Sequence, residues 1–250
     1  MRIDVITLFP ELVATMQDHG VVGRALRSKL VELKLTNPRD FSEDANNRVD
    51  DRPYGGGPGM VMQYAPLSNT LAHVKSVSGD DAKVVYLSPQ GQRLDQKAVR
   101  DLGKCSKLIL LCGRYEGIDE RFIDAYVDEE WSIGDYVISG GELAAMVLID
   151  AMVRTLPGAL GDDQSAEQDS FEGNLLDCPH YTRPEAVDGR EVPKDLLSGD
   201  HKKIADWRLK QALGRTYLRR PDLIELKHLS DQEQQLLDEY LVEVKAKNER

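Results

Sequence analysis

With 250 residues and 41% hydrophobic content, the chain has room for a proper core, in one large domain or two smaller ones. Its longest unbroken apolar run, residues 143–149, is far too short to cross a bilayer, and the opening run carries Asp4 and no small-residue cleavage site, so a cytoplasmic protein with no membrane contact is expected. A net charge of −11 argues, as a total, against a nucleic-acid partner; Cys105, Cys112 and Cys178 form no C-x-x-C pair, which excludes a disulfide framework or cysteine zinc site and leaves three small buried hydrophobes.

Residues 2–8 are β-branched and apolar and end at Pro10, which predicts a first strand. Helical patterns over 11–17 and 21–30 and a second strand over 31–36 follow. Residues 37–59 are polar with little periodicity and close on a Gly-Gly-Gly-Pro-Gly run; a loop of that length inside a compact domain is usually functional or mobile. A helix over 66–77 leads to strands over 83–87 and 107–112 that flank a helix near 95–102, the alternation of a parallel α/β sheet, with Gly91 and Gly113 in the turns that follow the strands.

Residues 141–156 are apolar nearly all round, with Glu142, Asp150 and Arg154 as the charges, so this helix belongs in a core or a subunit interface. Pro157 and Gly158 stop it. Residues 161–170 have the short, polar, acidic composition of a mobile interdomain linker and divide a domain of 1–160 from one of 171–250. Beyond it the pattern is helical. Asp200 is placed to cap a helix running through Tyr217, and Ser230 with Glu233 forms a capping-box pattern that opens a helix toward Lys247. Between His201 and Arg220 seven Lys and Arg residues, Lys202, Lys203 and Arg208 among them, face the single Asp206, a local charge of +6 on an acidic chain. That run is either a solvated helix face or a nucleic-acid footprint. Trp207 and Leu213 fit the helix core.

Two glycine-rich segments carry the chemical signal: LLCGRYEGIDER at 110–121 and SIGDYVISGGE at 132–142. Without a Cβ, glycine lets backbone N–H and C=O groups approach a ligand at hydrogen-bond distance. Together with residues 87–91, these segments form three strand-end loops, where an open α/β sheet holds its ligands. The dinucleotide fingerprint G-x-G-x-x-G is absent, since Gly57-Pro58-Gly59 has Met62 where a third glycine belongs, and no phosphate-binding P-loop is present. A nucleoside held mainly by backbone groups fits what remains.

The same segments resemble the signature of the bacterial tRNA (guanine-N1)-methyltransferases of the SPOUT superfamily. The likeness covers almost the whole chain: RIDVITLFP at 2–10, RPYGGGPGM at 52–60, YLSPQG at 86–91 and DCPHYTRP at 177–184 all stand in the expected order. It implies a deep trefoil-knotted α/β domain with a parallel sheet, followed by a small all-helical domain that grips tRNA, in a homodimer with no other protein partner evident. It also implies S-adenosylmethionine as methyl donor, held by Tyr86, Leu87, Ser88, Pro89, Gly113, Tyr115, Glu116, Gly117, Ser132, Ile133, Gly134, Asp135, Tyr136, Val137, Ile138, Gly140 and Gly141. Glu116 would favour the positive sulfonium. The substrate side would include Tyr54, Gly55, Gly59, Ser165, His180, Lys202, Lys203 and Arg208.

The resemblance also makes Asp169 the general base that takes the N1 proton of the guanine immediately 3′ of the anticodon, acting across the dimer interface. From the residues alone it would be a solubilising linker charge. Arg154 is read either as half of a structural ion pair or, by the resemblance, as the group facing guanine O6 where negative charge develops. His180 has no second histidine at ligand spacing and reads as a hydrogen-bonded histidine rather than a metal ligand. The family reaction is associated with magnesium, for which the sequence names no ligand, and no metal site is expected.

Overall fold

The computed structural model describes residues 1–161 and 169–248. Two compact units divide the chain, Met1–Asp163 and Gln164–Arg250. The first runs β1 (Arg2–Ile6), α1 (Pro10–Ala14), α2 (Gly20–Arg27), β2 (Glu32–Thr36), β3 (Asp50–Asp51), β4 (Val61–Met62), α3 (Tyr64–Ser78), β5 (Lys83–Arg93), α4 (Gln96–Gly103), β6 (Lys107–Cys112), α5 (Glu120–Tyr126), β7 (Glu129–Ser132) and α6 (Glu142–Val153).

Five of these strands form one parallel sheet in the order β2-β1-β6-β5-β7. Strand side chains alternate between faces, and here both faces are apolar because both are covered. Leu108, Leu110 and Cys112 of β6 join Ile3 and Val5 of β1 in a core with α2, α4 and α6, while Ile109 and Leu111 turn the other way to meet α3 and Phe122 of α5. The sheet is thus the middle layer of three. Because every strand runs the same way, the ends of β1, β6 and β7 open on one edge.

Several expected boundaries shift. The first strand stops at Ile6, and the helix expected over 11–17 is a short α1 followed by a 3₁₀ turn, Thr15–Gln17. The polar stretch 37–59 holds a 3₁₀ turn, Pro38–Phe41, and strand β3, which pairs with β4. Strand β5 does not end at Leu87: it continues to Arg93, pairing with β7 on both sides of an irregularity between Leu87 and Gln92. Proline cannot donate to the ladder, so the chain bulges at Pro89 and then rejoins it. Gly91 is needed there, because a Cβ would lie 2.4 Å from the Glu130–Trp131 backbone. The helix expected in a core or a subunit interface is buried on most of its surface and exposes one apolar stripe, with Leu143 48% and Val147 52% accessible.

The described part of the second unit is not all-helical as expected: residues 169–193 are irregular apart from a 3₁₀ turn, Glu172–Asn174, and a two-stranded hairpin, Ala186–Val187 with Arg190–Glu191, and the helices follow from Lys194. Asp200 caps the helix His201–Arg219 by accepting from the Lys202 and Lys203 amides at 3.0 and 3.3 Å. The capping box is also present, with Ser230 N donating to Glu233 and Glu233 N donating back to Ser230 Oγ at 3.3 Å. Trp207 and Leu213 are buried. No helix among the described residues is long and apolar enough to cross a membrane.

Candidate functional site

At the strand-end edge of the first unit, the three glycine-bearing segments enclose a pocket of about 250 Å³. Every residue expected to hold the donor lines it except Asp135, and Arg114, Trp131, Ser139 and Ala144 line it as well. Asp135 sits in a tight turn, where Gly134 takes a φ of +146° and Tyr136 N donates to Gly134 O at 2.9 Å.

Glycine is required at particular points of this wall. A Cβ on Gly113 would lie 2.7 Å from the Tyr86 hydroxyl, and one on Gly141 would lie 2.7 Å from Cys112 Cα. Gly141 N donates to Gly113 O at 2.9 Å, so the two loops are joined directly through bare backbone. Tyr115 stands between them with φ +61°, a left-handed conformation that costs a non-glycine residue about 1–2 kcal/mol. It turns the chain so that Arg114 points toward α6 while the Tyr115 ring is half exposed, its hydroxyl accepting from Arg39 at 3.3 Å.

The charges of the wall decide what it can hold. Among the described lining residues Arg114 is the one cation, and its Nε donates to Glu142 at 2.8 Å; Glu116 is the one carboxylate among them. The pocket therefore carries an unbalanced negative charge beside apolar Leu87, Ile133 and Ile138. Burial, with Glu130 nearby, pushes the Tyr86 hydroxyl up to about 12, so this wall stays a neutral donor at any ordinary pH. Burial likewise raises the Cys112 thiol and leaves it inert.

Of the other expected residues, none that is described is among those lining this pocket. Tyr54 is fully exposed, and Gly55 and Gly59 both take left-handed φ in the loop that leads to Met60, whose carbonyl accepts from Glu116 N at 2.9 Å. Arg154 is the C-cap of α6. The pocket meets that helix at Gly141 and Ala144, so Arg154 stands about 15 Å beyond Ala144 along the helix axis. Ser165 lies outside the described residues. In the second unit Asp169 is partly buried and its carbonyl accepts from Glu172 N at 3.2 Å. His180 is exposed and its Nε2 lies 2.7 Å from Asp177. Lys202, Lys203 and Arg208 are exposed on the helix His201–Arg219, but Lys210 and Arg220 of the same basic run are paired with Glu243 and Asp222.

Among the described residues one group has metal-ligand spacing, Asp177, Cys178 and His180. Its carboxylate is already engaged by His180 and by the Cys178 amide at 2.6 Å, and a thiol with an imidazole is a poor match for a hard cation that prefers oxygen ligands. These residues do not fit magnesium.

The family model described as tRNA (guanine-1)-methyltransferase TrmD matches residues 1–226. The chain belongs to that family. A relative from Pseudomonas fluorescens named tRNA (guanine-N(1)-)-methyltransferase is 59% identical over 243 residues, 97% of each chain. One of the same name from Shewanella frigidimarina is 59% identical over 243 residues, 97% of this chain and 98% of its own. The five-stranded parallel sheet with C-terminal helices is accordingly a SPOUT-superfamily architecture.

Arg114 and Glu142 were missed by sequence reasoning as a pair. The available signal was Glu142 itself, an acid opening a helix that is apolar nearly all round, which demands a cationic or hydrogen-bonding partner.

Proposed function

We propose that this chain methylates N1 of the guanine immediately 3′ of the anticodon in tRNA, with S-adenosylmethionine as donor, in a homodimer whose knotted first unit holds the donor. The observation that carries this reading is the strand-end pocket, walled by bare glycine backbone and bearing the single carboxylate Glu116, in a chain of this family. A nucleoside carrying a positive charge suits this pocket, since Gly113 and Gly141 let its two loops pack directly against Tyr86 and Cys112, and Arg114 is already neutralised by Glu142.

The donor supplies a methyl group on a positive sulfur. The chain's residues hold it by backbone groups, balance its charge with Glu116, and bring guanine N1 into line with it. Asp169 takes the N1 proton as the N1–methyl bond forms, and the electron pair of the breaking S–C bond stays on sulfur. Arg154 stabilises the charge that develops on O6. Because Arg154 stands at the far end of α6 from the pocket of its own chain, we assign it, with Asp169, to the partner's pocket. The exposed stripe of Leu143 and Val147, with Phe9 and Leu12 exposed at α1, supports a subunit interface on this side. Lys202, Lys203 and Arg208 hold tRNA phosphates, with Tyr54 and His180 on the substrate side.

The test is mass spectrometry of nucleosides from an unmodified tRNA transcript incubated with the protein and S-adenosylmethionine. The expected product is 1-methylguanosine at the position 3′ of the anticodon. A 2′-O-methylated nucleoside, or no methylated product, would overturn the reading.

A further inference from the structure

Glu142 is fully buried at the first position of α6, yet it is not the acid of the pocket. Both of its oxygens are engaged: Thr7 Oγ1, just beyond the end of β1, donates to Oε1 at 2.8 Å, and Arg114 Nε donates to Oε2 at 2.8 Å. Arg114 reaches further still. Its Nη1 donates to the Ser139 carbonyl at 3.1 Å, and its guanidinium lies 4.3 Å above the Phe9 ring. One side chain thus ties the 113–117 loop to the 132–141 loop, to the start of α6 and to the segment after β1. Gly140 makes room for it, since a Cβ there would sit 2.2 Å from Arg114 Nε.

Such a pair is a poor way to gain stability. Removing two charges from water costs as much as their attraction returns, and apolar side chains would fill the space as well. What the pair does specify is geometry, because a carboxylate with two directional partners fixes the position of both.

We propose that Thr7 and Glu142 are positioning residues for methyl transfer: through Arg114 they set the separation of the two glycine-rich loops, and with it the affinity for the donor, without touching the reacting atoms. The proposal rests on the donor reading of the pocket and adds residues outside it.

The test is calorimetric titration of S-adenosylmethionine into the full chain, beside tRNA affinity and single-turnover rate at saturating donor. Glu142→Gln keeps the side chain's size and can still accept from Thr7, but loses the charge that orients Arg114. Donor affinity should fall tenfold or more, with tRNA affinity unchanged within twofold and the rate at saturation within threefold. Arg114→Lys, which keeps the charge but cannot reach both Glu142 and Ser139, should fall in between. A folded Glu142→Gln chain with donor affinity within twofold of the parent overturns the proposal, as does a parallel loss of donor and tRNA affinity. Should Glu142→Gln fail to fold, Thr7→Val is read in its place, with a threefold loss of donor affinity expected and no loss overturning the proposal. An unmodified chain that binds no donor overturns the donor reading together with this one, whereas an unchanged Glu142→Gln variant overturns this one alone.

Discussion

Gly59 and Glu116 touch: a Cβ built on Gly59 would lie 2.3 Å from Glu116 Oε1 and 2.4 Å from its Cγ. The glycine-rich loop of residues 55–59 therefore rests on the one carboxylate of the pocket wall, and the absent side chain at Gly59 is what allows it. Gly59→Ala should be harmful twice. With φ at +80°, the backbone change alone costs about 1–2 kcal/mol, and the added methyl pushes Glu116 from its place. Urea unfolding should register the first effect and donor titration the second. In the double variant Gly59→Ala, Glu116→Ala the clash is gone, so the combined loss of stability should be smaller than the sum of the single losses. Simple additivity would mean that the contact carries no energy.

A division of labour between the two units gives a second expectation. Gly113→Trp fills the pocket, where even a Cβ would meet the Tyr86 hydroxyl at 2.7 Å, and should abolish donor binding while leaving tRNA affinity nearly intact. Reversing the charges of Lys202, Lys203 and Arg208 should do the opposite and flatten the salt dependence of tRNA binding by roughly 0.7–0.9 per lost phosphate contact. Lys210 and Arg220 are held by Glu243 and Asp222, so their replacement by Gln should matter less. An unchanged salt slope after the triple reversal would remove this helix from the tRNA surface.

Tyr86 predicts a limit at alkaline pH. Burial first, and Glu130 second, raise its folded value from about 10 to about 12, so between those values the folded chain holds a proton that the unfolded chain has released. Stability from this group is complete below about pH 10 and declines as pH rises toward 12. Tyr86→Phe should flatten that decline in thermal melts taken between pH 9 and 11.5. A parent chain whose stability is level across the window would contradict the assigned burial effect.

Much of the first unit is legible in the sequence because its signal is local. The run Leu108 to Leu111 can only be a strand buried on both faces, and glycines set after it mark a turn where backbone approaches something. Asp200 and the Ser230–Glu233 box announce their helices for the same reason. What escapes is either polar at an edge or long-range. Strand β7, Glu129–Ser132, opens with two acids, so only the glycine-rich loop after it signals it and its start goes unmarked, and β5 hides its second half behind Pro89. The meeting of Thr7, Arg114 and Glu142 depends on three elements converging at one edge of the sheet, which no spacing encodes. Asp169 is the extreme case: without the family motif nothing in its surroundings separates it from a solvated loop acid.

The assignment of Asp169 and Arg154 to a partner's pocket makes the strongest prediction. Asp169→Asn keeps the shape but cannot accept a proton, and should lower turnover on the order of 100- to 10,000-fold with donor affinity unchanged. Alone, that result would fit a base in either chain. Mixing decides. A Gly113→Trp chain has no donor pocket but a sound aspartate, and an Asp169→Ala chain has a sound pocket but no base, so their heterodimer contains one complete site and one doubly defective site. Equal mixing with free subunit exchange gives half the dimers as heterodimers, each with one working site of two, so activity should return to roughly one quarter of the parent level. An Arg154→Ala chain should complement Gly113→Trp in the same way, and should fail to complement Asp169→Ala, because every site then lacks either Arg154 or Asp169. Full failure of the first mixture, with heterodimers verified by mass, would place the base and the donor pocket in one chain and overturn the shared site.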